Sequence, residues 1–305
     1  MPEVTEVRKY ADFIYSKLHN KNILDIIIMN GRYKKHKPFE NYNFIKNKLP
    51  IKVLDVQTKG KLLWITFEND IYLLSTLGLS GGWAFLQYGK KQFDFSEVLD
   101  DFDGYIAEEE LKGYLNNAKN HLNVEFKTDK GSLFFYDTLS FGTLKVIKGI
   151  EELNKKLKTI GPDIMDETTT LEIFNTQIKK KVNLDKEIGV VLMNQKIVSG
   201  VGNYLRADIL YLSKVSPFRK VNKITDAELK DIYDNARILT WGDYDKQEAI
   251  RLKIMTKTTK LPKDYDRLFF VYMEEKDILG HKVIKKELYE GSQKRFIYYV
   301  PEVQK

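Results

Sequence analysis

The chain has 305 residues, 43% hydrophobic and 30% charged, with a formal net charge of +7. That is enough apolar sequence for two domains with cores of their own, and a basic balance permits a polyanionic partner. The absence of cysteine excludes disulfides and cysteine-ligated metals, and His19, His36, His121 and His281 lack metal-ligand spacing, so no cysteine- or histidine-based metal site is expected. No apolar run reaches the ~20 residues of a membrane span and no signal peptide is visible, so a soluble, intracellular protein is expected.

The chain opens Met1-Pro2-Glu3. Removal of Met1 leaves Pro2 as a secondary amine beside a carboxylate. An α-amino group titrates near ~8, so a fraction is neutral and nucleophilic at neutral pH. Amine and acid together can form and resolve a Schiff base with a sugar aldehyde. Equally, Glu3 suits the positive end of a helix. From Thr5 the apolar residues Val7, Tyr10/Ala11, Ile14 and Leu18 recur at helical spacing. Glu6 lies in the first turn, either beside the amine or as simple first-turn charge.

Short β-like runs follow at 23–30, 51–60, 62–68, 71–76, 122–128, 132–138 and 142–148, rich in Ile, Val, Leu and aromatics and bounded by turn residues. Seven or more short strands in about 150 residues predict a β-sandwich. The stretch 102–121 is polar and mixed, read as helix plus loop. Two turns carry candidate functions. Lys61 follows Gly60 at a strand start, where it meets a phosphate or is an exposed hairpin charge. In 76-TLGLSGGW-83, Leu79 either protrudes as a wedge between bases or packs inward from a β-turn.

A short helix within 150–163 ends at Gly161-Pro162, and 149–165 reads as an interdomain linker. Helical patterns then cover Thr170–Lys181, Asp185–Asn194, Tyr204–Ser213 and Thr225 to about Trp241, with Thr170, Asp185 and Thr225 as N-caps. The stretch 200-GVGN-203 opens the third helix. Its glycines turn the backbone tightly, the helix start exposes N–H groups, and Asn203 adds a neutral donor, together a phosphate site or a purely structural turn.

Gly200-Val201-Gly202-Asn203-Tyr204, with Arg206, Asp208 and Pro217, resembles the helix–two-turn–helix of the formamidopyrimidine-DNA glycosylase/endonuclease VIII family, and is closest to its endonuclease VIII-like enzymes. The Pro-Glu start, Glu6, and the lysine after a short hairpin, Lys61, match as well. The tail 268–305 resembles the family's zinc finger without its cysteines: Val300 and Val303 stand at the last cysteine pair, Lys276 and Leu279 near the first. A zincless β-hairpin finger is therefore expected, held by Ile297, Tyr299 and Val300, with Arg295 as the phosphate-gripping arginine.

The resemblance implies an α+β protein with a catalytic N-terminal β-sandwich domain at 1–148, a linker, and a helical domain at 166–305 carrying the finger at about 268–305. It implies a monomeric bifunctional DNA glycosylase/AP lyase of base excision repair that acts on damaged double-stranded DNA, with single-stranded or bubble DNA as a further form. Pro2 is the nucleophile, Glu3 the general acid/base and Lys61 a catalytic-site phosphate ligand, with Glu6 supporting. The mechanism the resemblance implies needs no metal or organic cofactor. Asn203, Arg295, Gly200, Gly202, Leu79 and Phe141 contact DNA. Three departures stand out. Asp208 replaces the family's glutamate, Leu79 its void-filling methionine, and 137-DTLSFG-142 lacks its opposite-strand arginine while keeping Phe141. Relaxed opposite-base preference follows from the missing arginine, while resemblance to the endonuclease VIII-like branch implies oxidised pyrimidines such as thymine glycol and dihydrouracil as substrates and hydantoins as further ones. By position, 242–263 is the loop that caps the flipped base. A non-catalytic DNA-binding protein on this scaffold, or an AP lyase with little glycosylase activity, are the alternatives.

Overall fold

The computed structural model describes residues 2–90, 93–94, 121–244, 269–290 and 293–305. It divides into two units, Met1–Pro2 with Glu6–Lys158, and Glu3–Thr5 with Thr159–Lys305.

In the first unit the β-branched and aromatic runs form two antiparallel sheets. One has strand order β1 (Asn22–Ile23), β3 (Ile51–Lys59), β4 (Leu62–Phe67), β5 (Ile71–Thr76), β9 (Thr143–Lys148). The other runs β2 (Asp25–Ile28), β7 (Leu122–Lys127), β8 (Gly131–Asp137), β6 (Gly81–Gln87). Helix α1 (Val4–Leu18) gives Val7, Tyr10, Ala11, Ile14 and Leu18 to their shared core, which includes Trp83 tilted against Phe126 and Phe135. Two short helices, α2 (Gly31–Lys35) and α3 (Tyr42–Lys46), lie between β2 and β3, and α4 (Ile150–Leu157) closes the unit with Leu153 buried.

Two features differ from the sequence expectation. The single apolar run 23–30 serves both sheets: Ile23 pairs with β3, and Asp25–Ile28 with β7. The chain changes sheets at Leu24, a sandwich corner that composition does not mark. The glycines Gly81 and Gly82, read as turn, instead begin β6 and pair with Asp137 and Tyr136. A Cβ on Gly82 would collide with the hydroxyls of Tyr10 and Tyr136, which hydrogen-bond each other at 2.6 Å. Glycine here serves close approach rather than a turn.

The second unit is helical: α5 (Leu171–Ile178), α6 (Ile188–Met193), α7 (Asn203–Leu212) and α8 (Asp226–Tyr244). Phe174, Ile188, Leu192, Leu205, Ile209, Ile232 and Leu239 build its core together with Val4. Thr170 caps α5 through Ile173 N–H, and Thr225 with Glu228 forms a reciprocal capping box on α8. Asp185 is not a cap: α6 starts later, after Glu187. Helix α8 continues through Gly242 to Tyr244, so the start of the expected capping loop is helix; its remainder, and the stretch 102–120, lie outside the described residues.

The chain ends in an antiparallel hairpin, β10 (Ile284–Glu290) and β11 (Gln293–Tyr299). Asp277 organises the turn before it, accepting from the N–H groups of Leu279 and His281, from Tyr211 Oη–H and from the His281 ring. After it, Gln304 accepts from Val300 N–H and donates to the Val215 carbonyl. Ile297 and Val300 are fully buried and Tyr299 packs edge-on against Phe218.

Candidate catalytic terminus and nucleic-acid interface

The turn before α7 is built around Glu3. Gly200 sits at φ +106°, where a side chain would strike Val4, and its N–H donates to Gln195 Oε1 at 2.9 Å. Its carbonyl accepts from Val4 N–H at 3.2 Å. The fully buried Glu3 carboxylate accepts from Gly202 N–H at 2.6 Å and from Tyr204 N–H at 3.0 Å. The helix-start donors that the sequence offered to a phosphate are thus taken by a carboxylate of the same chain. The macrodipole and two charge-assisted bonds hold that carboxylate in place. Gly200 and Gly202 shape the turn, and Asn203 follows as the first residue of α7. Pro2 is the residue directly before this anchored glutamate.

Arg206 fixes the orientation of that asparagine. Its guanidinium is fully buried and donates to the Gly189 carbonyl at 3.0 Å, the Phe296 carbonyl at 3.1 Å and Asn203 Oδ1. A donor on Oδ1 decides the amide flip and turns Nδ2 the other way, towards Tyr272. Burial raises the Tyr272 hydroxyl pKa. The bond with Asn203 opposes this shift, and the Glu3 charge adds to it. Asp208, shorter than the family's glutamate, accepts from the N–H groups of Phe270, Val271 and Tyr272 at 3.1, 3.0 and 3.4 Å and so braces the segment carrying Tyr272. Sequence reading singled out neither Arg206 nor Tyr272 for a role. The only hint was a charged residue at a core position of a helix.

In the first unit, Lys61 occupies a two-residue turn between β3 and β4, with Gly60 at φ +54°. Glu6 is half-buried in the first turn of α1. Leu79 and Phe141 come together on adjoining loops. Asp137 accepts from Ser80 Oγ and from Gly142 N–H, both at 2.6 Å, and Ser80 Oγ accepts from Leu139 N–H at 2.9 Å. A side chain on Gly78 would collide with Phe141 and Gly142. Leu79, Leu139 and Phe141 are 42%, 56% and 59% exposed, so Leu79 does not pack inward. Leu139, at one of the positions where the family pattern has arginine, adds a third apolar side chain.

Arg295 is exposed on β11, opposite Leu288. The finger does not fit a zinc ion. Val300 is fully buried among hydrocarbon, Val303 packs on the same core, and Lys276 and Leu279 face solvent. Hydrocarbon and ammonium side chains are not zinc donors. The Asp277 and Gln304 hydrogen bonds join the two ends of the hairpin to the helical core instead.

Residues 1–144 match the formamidopyrimidine-DNA glycosylase N-terminal domain, and residues 160–253 match the H2TH domain of the same glycosylases. The Ligilactobacillus salivarius formamidopyrimidine-DNA glycosylase is 28% identical over 237 residues, 77% of this chain and 74% of its own. In fold the chain is similar to Lactococcus lactis formamidopyrimidine-DNA glycosylase non-covalently bound to DNA with an AP site (TM-score 0.73, 18% identity, 99% of both chains). It is also similar to the wild-type Lactococcus enzyme with DNA containing an oxidized pyrimidine (TM-score 0.72, 20% identity, 99% of both). Two consecutive domain matches, together with the anchored Glu3 and the G-x-G-N turn, place the chain in the formamidopyrimidine-DNA glycosylase family, DNA glycosylases of base excision repair with AP lyase activity.

Proposed function

We propose that the chain removes oxidised bases, chiefly pyrimidines such as thymine glycol and dihydrouracil, through a Schiff base on Pro2, and then cuts the strand by β,δ-elimination. The observation that carries this reading is the anchoring of Glu3: two backbone N–H groups fix the buried carboxylate of the residue that follows Pro2 in the chain.

Damaged DNA, held through its phosphates, presents a nucleotide flipped from the stack, at a cost of a few kcal/mol that damage lowers. With Met1 removed, the neutral Pro2 nitrogen attacks C1′. The bond from C1′ to the base breaks and the base leaves with a proton. Glu3 helps open the sugar ring by proton transfer to its oxygen, leaving an iminium on Pro2. Loss of a C2′ proton expels the 3′ phosphate and loss of a C4′ proton expels the 5′ phosphate. Water then releases the sugar fragment and frees Pro2. Lys61, Asn203 and Arg295 hold the flanking phosphates, Leu79 and Phe141 fill the void, and Glu6 supports the amine. The similar Lactococcus enzyme, held in a complex with DNA containing an oxidized pyrimidine, supports the substrate class.

Borohydride trapping tests the reading with three duplexes, bearing thymine glycol, an abasic site, or no damage. Covalent adducts are expected with the first two. Pro2→Gly, or retention of Met1, should abolish both. Adduct with abasic DNA alone would reduce the activity to a lyase, and no adduct with any duplex would leave a DNA-binding protein.

A further inference from the structure

The outward face of the C-terminal hairpin carries side chains that none of these steps uses. Lys285, Glu287 and Tyr289 of β10 lie opposite Tyr298, Phe296 and Lys294 of β11. The other face holds the buried Leu288 and Ile297. On the outward face Phe296 is 39% exposed and Tyr289 56% exposed, so burial does not account for a phenylalanine there.

Three observations give that ring a partner. The first is charge. Lys285 Nζ stands 4.7 Å and Lys294 Nζ 5.4 Å from its centroid, while the Glu287 carboxylate is taken up by Lys294 at 2.9 Å and Tyr289 Oη–H at 2.6 Å. The second is rigidity. The Phe296 carbonyl accepts from the same buried Arg206 that holds Asn203 Oδ1, so the backbone under the ring and the amide are tied to one guanidinium. The third is continuity. Tyr298, next on this face, packs edge-on against Tyr272 at 5.2 Å, and Tyr272 hydrogen-bonds Asn203. An aromatic row with flanking lysines thus runs from the phosphate-binding amide out along the hairpin.

We infer that Phe296 is a stacking platform for an unpaired nucleobase of the DNA strand whose phosphate Asn203 holds, the base displacing the Lys285 ammonium from the ring towards the phosphate of that unpaired nucleotide. Every base has a π-face, so the platform accepts any sequence but requires a base that is out of its pair. The inference rests on Asn203 gripping DNA, and it assigns a residue to the single-stranded form of DNA that the family resemblance implies.

The test is fluorescence anisotropy at low salt with a labelled oligothymidylate and with a fully paired, undamaged duplex. Phe296→Ala should weaken oligothymidylate binding by about 5- to 100-fold and leave duplex binding within about twofold. Phe296→Trp should restore it. Lys285→Ala should lower the dependence of log K on log salt by about 0.7 for the single strand. Unchanged oligothymidylate binding by Phe296→Ala would overturn the inference. So would equal losses on both DNAs, which report a general defect, or an apolar protein partner that competes for the hairpin while oligothymidylate does not. Trapping of the wild-type protein on abasic duplex, run in parallel, separates failure of the platform from failure of the Schiff-base reading.

Discussion

At the scale of single residues, Glu3 and Arg206 do the most. Glu3 combines the proposed proton transfer with the N-terminal cap of α7, so Glu3→Gln should show two effects. Turnover should fall by about 10²- to 10⁴-fold, and stability by about 1–3 kcal/mol, the worth of hydrogen bonds to an ionised group. Urea unfolding and single-turnover excision measure the two separately; a catalytic loss with unchanged stability would contradict the capping role. Arg206 acts through Asn203. A double-mutant cycle with Asn203→Ala and Arg206→Lys, read as affinity for abasic-site DNA, should therefore be non-additive. Each single change should weaken binding by about 5- to 30-fold, an order set by loss of one hydrogen bond of ~1–2 kcal/mol, and the double change by little more than either. Lysine cannot replace the planar fork that reaches three acceptors. Additive losses would separate the two residues.

At the scale of elements, the start of α8 is an electrostatic fastener. Arg219 Nη atoms donate to both Glu228 oxygens at 2.6 and 3.0 Å, and Thr225 N–H donates to the same carboxylate at 2.8 Å. These bonds, Arg219 first, lower the Glu228 pKa to about 2 from the usual 4.5. A depressed carboxylate stabilises the fold above its unfolded pKa and loses that contribution as pH falls through the folded value. The stability gap between wild type and Glu228→Gln should thus be constant above pH ~5 and close between about pH 4.5 and 2. Denaturant melts at stepped pH read this directly; a gap independent of pH would show that the capping geometry, not the charge, matters. The hairpin shows a different solution at the same scale. Asp277 and Gln304 satisfy the two turns that cysteine thiolates would otherwise fix to a metal, and the buried Ile297 and Val300 supply the packing.

For the whole molecule, the basic surface and the apolar loop tips have different consequences. Phosphate contacts give affinity that falls with salt and carry no sequence information. Replacing Lys61 by Ala should therefore weaken binding to every duplex alike and reduce the salt slope by about one. Leu79, Leu139 and Phe141 are exposed hydrocarbon, and in the void-filling role proposed for the loop they offer the orphaned base no hydrogen-bond donors to read it. Excision rates for one lesion opposite each of the four bases should then differ by no more than about 10- to 200-fold, the discrimination that apolar contacts alone supply. Strong preference for cytosine opposite the lesion would contradict this reading.

What the amino-acid order determined by itself is what depends on local chemistry and chain spacing. The strands 51–59, 62–67 and 71–76, the capped helices after Thr170 and Thr225, the two-domain α+β organisation and the G-x-G-N turn were all legible as patterns of apolar period and turn residues. What only tertiary structure decided is where buried polar groups find partners distant in the chain. Glu3 meets Gly202, Arg206 meets Phe296, and Asp208 meets Val271, each across a long stretch of sequence. A buried charge must be paired, but the sequence does not say with what. Folding therefore settles that the glycines of the turn serve an internal carboxylate, that Arg206 and Tyr272 hold the asparagine beside them, and that a phenylalanine on the hairpin stays exposed.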